Sequence, residues 1–234
     1  MIIEILLQKG AHQMKLLLCG GGDGEQTVLA NRKLNEIINH DKPLLYVPLA
    51  MEKDKYPSCY EWIQQELSEV DIPSIEMVTS GEELADKNLD RYCAIFIGGG
   101  NTFSLLSILK SSGSFDKIKQ YIESNGIVFG GSAGAIIFGK DLDACRLEDT
   151  NDVGLEDTSG FDALNGISIL CHYTNRTEEK DRESTEYLKK LSVGRKLIAL
   201  PEEDTLFVNG ENIEVIGTRP YYTFENGLRT EILL

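Results

Sequence analysis

Long apolar runs, paired cysteines and a surplus of basic side chains are all missing from this chain of 234 residues. No apolar run approaches the length of a membrane span, so we expect no membrane-embedded segment. The 23 Lys and Arg residues are outnumbered by 38 Asp and Glu residues, and the formal net charge is -15. Such a charge disfavours nucleic acids and anionic membranes as partners. We therefore expect a small or peptide-like substrate.

The cysteine content argues against a disulfide framework. Five cysteines are present without a C-x-x-C pair, and several lie in apolar runs where a reduced thiol packs as a small hydrophobe. This pattern predicts a reducing, cytoplasmic location. The first residues lack the basic start of a signal peptide and carry Glu4 within a very short apolar run. Because the first core strand begins near Met14, we interpret residues 1–13 as an N-terminal extension or, with Met14 replacing Met1, as a misassigned start.

What the chain does contain is a regular alternation of short apolar strands and amphipathic helices, which predicts an α/β protein with a doubly wound, mostly parallel sheet. A small set of antiparallel strands is expected in the tail, at residues 206–234, with turns at Asn209-Gly210 and Asn226-Gly227. No linker or repeat divides the chain, so we predict a single domain over residues 1–234. The predicted strands are 15–19, 44–49, 74–78, 93–97, a short apolar run that leads into Gly130, 166–171 and 196–200, and the predicted helices are 25–39, 56–69, one beginning near 103, and 178–191.

One strand runs directly into Gly130-x-Ser132-x-Gly134 and then into a short apolar helix. A serine at such a turn is exposed at the carboxyl end of a sheet, beside the free N–H groups of a helix start. The same pattern also suits a tight glycine-rich turn without chemistry. If the loop at residues 98–102 follows a neighbouring strand, the N–H groups of Gly99, Gly100 and Ala133 are candidates for an oxyanion hole.

A serine nucleophile needs a base, and the chain offers three histidines, His12, His40 and His172. His12 lies in the N-terminal extension and His40 follows a helix, whereas His172 ends a strand on the side predicted for Ser132. Elimination therefore selects His172.

Two acids are candidates to orient the imidazole of this histidine. Glu202 follows a strand, and Asp152 lies in an irregular segment. We favour Glu202, because a strand end fixes geometry better than a long loop.

Two further segments have less specific patterns. Gly20-Gly21-Gly22-Asp23-Gly24 lacks the glycine spacing of a dinucleotide site and the G-K-[ST] of a phosphate loop, so we interpret it as structural or as one wall of a cleft. Residues 141–160 hold seven acidic side chains and one arginine, which predicts a solvated surface loop. A calcium site there lacks EF-hand spacing, and we predict no metal site.

Several short motifs occur together, in one order, over roughly residues 15–215. By these motifs the chain resembles peptidase E, the α-aspartyl dipeptidases, whose relatives include cyanophycinase. The matching segments are residues 97–103 (IGGGNTF), 131–135 (GSAGA), 150–152 (TND), 160–164 (GFDAL), 172–175 (HYTN) and 200–202 (LPE).

The resemblance implies a serine peptidase on a class I glutamine-amidotransferase-like, flavodoxin-like three-layer sandwich. It implies Ser132 as nucleophile, His172 as base and Glu202 as third member, with Asp152 matching a second family acid. The family removes an amino-terminal aspartate from dipeptides, and we expect no metal or organic cofactor. We expect this chain to be a monomer or a homodimer.

Two residues are assigned to the substrate through this resemblance. Arg182 aligns with an arginine thought to pair with the aspartate side chain, and Asn101 is a candidate substrate-binding residue. A residue on an exposed, charged helix is the alternative interpretation of Arg182.

The sequence departs from the family pattern in three places. Gly131 precedes the nucleophile where the dipeptidases carry tryptophan, which predicts a more open floor of the site. The segment between Asn175 and Arg182 is shorter, and Glu203 and Asp204 add negative charge that disfavours an acidic substrate. Two alternatives therefore stay open: a cyanophycinase-like or other peptide or amide hydrolase, and a non-catalytic ligand-binding module on the same fold.

Overall fold

The computed structural model describes residues 14–234; His12, Met1 and the predicted extension lie outside the described residues. Within residues 14–234 the chain forms strands and helices in alternation up to the seventh strand, after which strands follow one another. The strands are β1 Lys15–Cys19, β2 Leu44–Val47, β3 Ile75–Met77, β4 Ile95–Ile97, β5 Ile127–Gly131, β6 Ile167–Leu170, β7 Lys196–Ala199, β8 Thr205–Asn209, β9 Asn212–Ile216, β10 Tyr221–Glu225 and β11 Leu228–Ile232. The helices are α1 Val28–Ile37, α2 Tyr56–Glu66, α3 Gly81–Asp86, α4 Thr102–Ser112, α5 Ser114–Glu123, α6 Ala133–Ile136 and α7 Glu178–Leu191.

The larger sheet has the strand order β3-β2-β4-β5-β1-β8-β9. Its first five strands are parallel, and β8 and β9 join antiparallel beside β1. The parallel strands β2, β4 and β5 are short, apolar and buried, as expected where helices cover both faces of a sheet. The predicted α/β fold with a mostly parallel sheet is confirmed.

A second, four-stranded sheet has the order β11-β10-β7-β6. The sequence did not separate β6 and β7 from the main sheet. They pair with each other in parallel, and β7 pairs antiparallel with β10. The antiparallel tail strands are confirmed, but they divide between the two sheets because β8 takes the position beside β1.

The alternation of side chains along β1 sends Leu16 and Leu18 to one face of the main sheet and Leu17 to the other. Helices α1 and α2 cover the face of Leu17. Helices α4, α5 and α6, together with the second sheet, cover the face of Leu16. The result is a three-layer arrangement with the main sheet at its centre.

The acidic segment at residues 141–160 is irregular apart from a short 3-10 turn, and the predicted solvated loop describes only part of it, mainly residues 150–159. Part of it is fully buried, including Leu142 and Cys145. Several of its acids form ion pairs with distant cations: Arg195 with Asp141 and Asp143, Arg176 with Glu148, and Lys110 with Asp157. Sequence patterns do not reveal these partners, because they are 28 to 54 positions away in the chain.

Within residues 14–234, no group of three or more His, Cys, Asp or Glu side chains is arranged to hold a metal ion. None of the described helices combines the length and apolarity that crossing a bilayer requires.

Candidate active site

Ser132 is the single residue between β5 and α6, and its backbone is held at φ 51 and ψ -113. The flanking glycines make this turn possible. A Cβ on Gly130 would lie 2.3 Å from the carbonyl oxygen of Gly134, and a Cβ on Gly134 would lie 2.1 Å from that of Ile97. Side chains at these two positions would push α6 away from the strands, so the G-x-S-x-G spacing has a steric cause.

His172 follows β6 and lies beside the serine. Its Nε2 is 2.8 Å from Ser132 Oγ. The backbone is held at φ 58, and its N–H donates to the carbonyl oxygen of Gly20 at 2.9 Å. The imidazole lies against Gly21, where an added Cβ would be 2.3 Å from the ring. The glycine loop after β1 therefore forms a wall against which the imidazole packs. Of the two roles predicted for this loop, structural element or wall of a cleft, it has the second.

Glu202 follows β7 and reaches the other nitrogen of the same ring. Its Oε1 lies 2.8 Å from His172 Nδ1, the geometry in which Nδ1–H donates to a carboxylate. Two neighbours hold the glutamate: Gln26 donates to Oε2 at 3.0 Å, and the N–H of Glu202 donates to Asn175 Oδ1 at 2.9 Å. His172 and Glu202 thus follow strands of the second sheet, while Ser132 follows a strand of the first.

Asp152, the other candidate for orienting the imidazole, is not brought to the site. Its carboxylate is exposed and accepts a hydrogen bond from Thr150 Oγ1 at 2.7 Å. The turn at 150–152 holds the side chain locally, so of the two acids only Glu202 contacts His172.

The loop after β4 lies against Ser132, because β4 and β5 are neighbours in register. A Cβ on Gly99 would be 3.2 Å from Ser132 Cβ. Gly100, at φ +135, has its Cβ position only 2.3 Å from the carbonyl oxygen of Ala50, so only glycine fits. Within the described chain the N–H groups of Gly99 and Gly100 donate to no other group, and Ala133 is the first residue of α6. These donors are available to an oxygen bound at Ser132.

The structure does not bring the two predicted substrate-binding side chains to the serine. Arg182 is exposed on α7 and has no ion pair among the described residues. Asn101 caps α4, since its Oδ1 accepts from the N–H of Ser104 at 2.8 Å, and its Nδ2 donates to the carbonyl oxygen of Thr150 at 2.9 Å. Both polar groups of Asn101 are therefore engaged in holding the loop.

Arg176 is a site residue that sequence reasoning missed. It lines a cavity of about 300 Å³ beside Ser132 and His172, together with Glu148 and Asp149. Arg176 forms an ion pair with Glu148, and its side chain is 19% exposed. Its position directly after the segment 172–175 was an available signal, because a residue next to a strand-end motif stays at that edge of the sheet.

The two additional acids after Glu202 do not line this cavity. Glu203 accepts from Asn175 at 3.1 Å and pairs with Arg219 at 3.4 Å; burial opposes ionisation, but these contacts lower its pKa. Asp204 is fully buried and accepts from the N–H groups of Thr218 and Arg219; burial raises its pKa to about 6. Both carboxylates are engaged by hydrogen bonds or an ion pair around the β7–β8 turn, so their expected repulsion of an acidic substrate is weakened.

A second cavity, of about 410 Å³, opens on the other side of Ser132 and is lined by aromatic side chains. A larger space of about 830 Å³ continues from it between α1 and α2, but does not reach the serine. Ser132 thus lies between a charged cavity at Arg176 and an aromatic one.

The chain matches the model of Peptidase family S51 over residues 16–216. It is 26% identical over 197 residues to Peptidase E of Nostoc sp., an alignment that spans 80% of this chain and 77% of that protein. Identity to Peptidase E of Escherichia coli is 31% over 141 residues, spanning 57% of this chain and 59% of the relative.

Two solved structures share the fold. A crystal structure from Listeria monocytogenes EGD-e, assigned provisionally to peptidase E, superposes with a TM-score of 0.70 at 21% identity and covers 88% of this chain and 98% of its own. A peptidase from an acI-B1 Actinobacterium superposes with a TM-score of 0.72 at 18% identity, covering 95% of each chain.

Proposed function

Since this chain belongs to peptidase family S51, and is therefore a peptidase, we propose that it is a serine-type dipeptidase with Ser132 as its nucleophile. The observation that supports this proposal is the contact of Ser132 with His172 and of His172 with Glu202. Ser132 Oγ lies 2.8 Å from His172 Nε2, and His172 Nδ1 lies 2.8 Å from Glu202 Oε1. A binding module has no need of a hydroxyl, an imidazole and a carboxylate in this order.

In the proposed reaction, His172 Nε2 takes the proton of Ser132 Oγ while the oxygen attacks the scissile carbonyl. Glu202 accepts from Nδ1–H and stabilises the imidazolium. The N–H groups of Gly100 and Ala133 receive the oxyanion. His172 then protonates the leaving amine, and water, deprotonated by the same imidazole, hydrolyses the acyl-enzyme to release the second product.

We further propose that the substrates are Asp-Xaa dipeptides, with Arg176 in the role assigned from the resemblance to Arg182. An amino-terminal aspartyl residue carries one ammonium group and one side-chain carboxylate. The cavity beside Ser132 presents the complementary set, the guanidinium of Arg176 and the carboxylates of Glu148 and Asp149. The five cysteines are all unpaired thiols, which supports a reducing cytoplasm as the place of action.

The test is hydrolysis of Asp-Ala, Glu-Ala, Gly-Ala and β-linked Asp-Arg by wild type, Ser132→Ala and Glu202→Gln. We expect wild type to cleave Asp-Ala best. Ser132→Ala should lose essentially all turnover, and Glu202→Gln should lose about 10⁴-fold in kcat because the imidazole tautomer is no longer fixed.

Labelling by a fluorophosphonate should disappear in Ser132→Ala. Wild type that neither labels nor cleaves any of these peptides would overturn the proposed mechanism. Cleavage of β-linked Asp-Arg alone would favour the cyanophycinase-like alternative.

A further inference from the structure

The second cavity beside Ser132 rests on a row of aromatic rings. Tyr46, Phe96 and Phe129 are successive register partners on β2, β4 and β5, so their side chains lie on one face of the sheet. The rings of Phe96 and Phe129 stack with centroids 4.4 Å apart. Trp62, from α2, packs with its centroid 6.0 Å from that of Phe96. The three sheet rings are only 2–3% exposed, so packing fixes their positions before any ligand arrives.

Gly131 connects this row to the nucleophile. It lies two residues after Phe129, on the same face of β5, and directly precedes Ser132. A Cβ at this position would meet only one ring carbon of Phe96, at 3.9 Å. The space next to the serine is therefore open because residue 131 has no side chain, whereas Gly130 and Gly134 are closely surrounded.

The charges around the cavity are all negative. Asp23 and Glu66 line it, and no lysine or arginine of the described chain does. Glu66 already accepts hydrogen bonds from the N–H of Gly24 at 2.8 Å and from Asn31 at 2.7 Å. An acidic side chain placed here would lose its hydration without gaining a cation, whereas an apolar side chain would gain burial and ring contacts.

We propose that this aromatic cavity is the subsite for the second residue of the substrate and that it selects a large apolar side chain, best an aromatic one. The inference rests on the proposed function, in which the amino-terminal aspartate occupies the opposite cavity at Arg176. Ser132 borders both spaces, so a dipeptide whose scissile carbonyl lies at the serine extends one side chain into each.

The test compares kcat/KM for Asp-Phe and Asp-Ala within each protein, so that a general loss of activity cancels in the ratio. We expect wild type to prefer Asp-Phe by ten-fold or more. Gly131→Leu should reduce the ratio to two-fold or less, because its side chain enters the cavity. Gly131→Ala is the matched control and should keep most of the preference, since its methyl group makes one ordinary contact. A wild-type ratio near one, or a Gly131→Leu ratio equal to that of wild type, overturns the proposal.

A binding measurement separates this inference from the proposed function and does not depend on the folding of Gly131 variants. Trp62 is the only tryptophan of the chain, so its fluorescence reports on the aromatic cavity. In Ser132→Ala, titration with Asp-Phe should change the emission with a Kd at least ten-fold lower than that for Asp-Ala. Equal affinities, or no change in emission, overturn the proposed subsite. Selective binding without wild-type hydrolysis of either dipeptide supports the subsite and contradicts the peptidase mechanism instead.

Discussion

Arg176 combines two properties that separate it from the other arginines of the chain. It lines the cavity beside Ser132, and it already has an acidic partner, Glu148, which in turn accepts from Ser184 Oγ at 2.9 Å. A guanidinium has five donors in a planar fork, so one carboxylate leaves donors for a second. Arg176 can therefore hold Glu148 and a substrate carboxylate together.

We expect Arg176→Lys to raise KM for Asp-Ala by about ten-fold, because an ammonium group does not reproduce the bidentate fork. Arg182→Lys, on the exposed face of α7, is the control and should stay within about two-fold of wild type. Steady-state kinetics on Asp-Ala and Gly-Ala measure both. An equal effect on Gly-Ala would show that Arg176 acts on the fold of the site and not on the aspartate.

The residue scale also shows what the sequence left undetermined. Ser132, His172 and Glu202 were identifiable because strand ends and glycine turns are local patterns. The sequence does not distinguish Arg176 from Arg182, because whether a side chain faces the cavity or solvent is a property of the tertiary structure. Asp152 stayed an alternative for the same reason.

At the scale of elements, the glycine loop between β1 and α1 supports the imidazole of His172. The carbonyl oxygen of Gly20 accepts from the N–H of His172, and Gly21, at φ +111, leaves the space in which the ring lies. Any side chain at position 21 would occupy the volume of the imidazole.

We predict that Gly21→Ala lowers kcat on Asp-Ala by about 10²-fold or more, because a displacement of roughly 1 Å breaks the contact between base and nucleophile. Gly24→Ala is a matched control: Gly24 also has a positive φ, of +53, but a Cβ there has no neighbour within 4 Å. Gly24→Ala should lower the free energy of unfolding by about 1 kcal/mol through backbone strain. It should leave kcat nearly unchanged. Equal losses of kcat in the two variants would contradict the supporting role of the loop.

The β7–β8 turn contains a buried acid whose titration affects stability. Desolvation raises the pKa of Asp204 from 3.8 to about 6. Between these two values the folded chain binds more protons than the unfolded chain, so the free energy of unfolding falls as pH rises, by on the order of 3 kcal/mol in total.

Asp204→Asn should remove this dependence, because an amide oxygen still accepts from the N–H groups of Thr218 and Arg219 without becoming charged. Urea unfolding at pH 3.5 and pH 7.5 measures the effect. From pH 3.5 to pH 7.5, the free energy of unfolding of the variant should rise by on the order of 1–3 kcal/mol relative to that of wild type. A difference that does not change with pH would contradict the burial of a charged Asp204.

The elements themselves were largely predictable, and their grouping was not. The alternation of apolar strands and helices follows from local periodicity, and α7 has the predicted limits of 178–191. Helices α3 and α5 were not predicted, because α3 has only six residues and α5 is separated from α4 by Gly113 alone. The division of β6 and β7 into a second sheet depends on which strand edges meet, and periodicity carries no information about that.

At the scale of the whole molecule, several of the acids that contribute to the net charge of -15 are held by ion pairs. Those of the acidic segment at residues 141–160 pair with cations from distant parts of the chain. Arg195 joins it to the second sheet: Nη2 donates to Asp141 at 2.5 Å and to Ser168 Oγ at 2.7 Å, and Nη1 donates to Asp143 at 3.1 Å. Its side chain and that of Asp141 are each 15% exposed.

We predict that Arg195→Met lowers the free energy of unfolding by about 2–4 kcal/mol at pH 7, because it leaves Asp141 without its cation and Asp143 with Arg146 alone. Arg32→Met, an exposed arginine on α1, is the control and should change stability by less than about 0.5 kcal/mol.

The pKa of Asp143 supplies a second readout for this pair. Burial opposes ionisation of Asp143, but hydrogen bonds from Arg146 and Arg195 lower its pKa. The stabilisation by Arg195 is therefore present above pH 3.8 and lost as pH falls further. A cost of Arg195→Met that is as large at pH 3 as at pH 7 would argue against an electrostatic cause.

The position of β1 has a consequence for the growing polypeptide. Lys15–Cys19 pairs on one side with β5, more than a hundred residues later, and on the other with β8, near residue 207. While the ribosome synthesises the intervening chain, this apolar strand has no partner on either edge, and its second edge stays open almost until translation ends. Nascent chains of this topology expose an aggregation-prone strand for most of their synthesis. Holding chaperones that bind extended apolar segments should therefore associate with this amino-terminal strand until residue 209 has emerged.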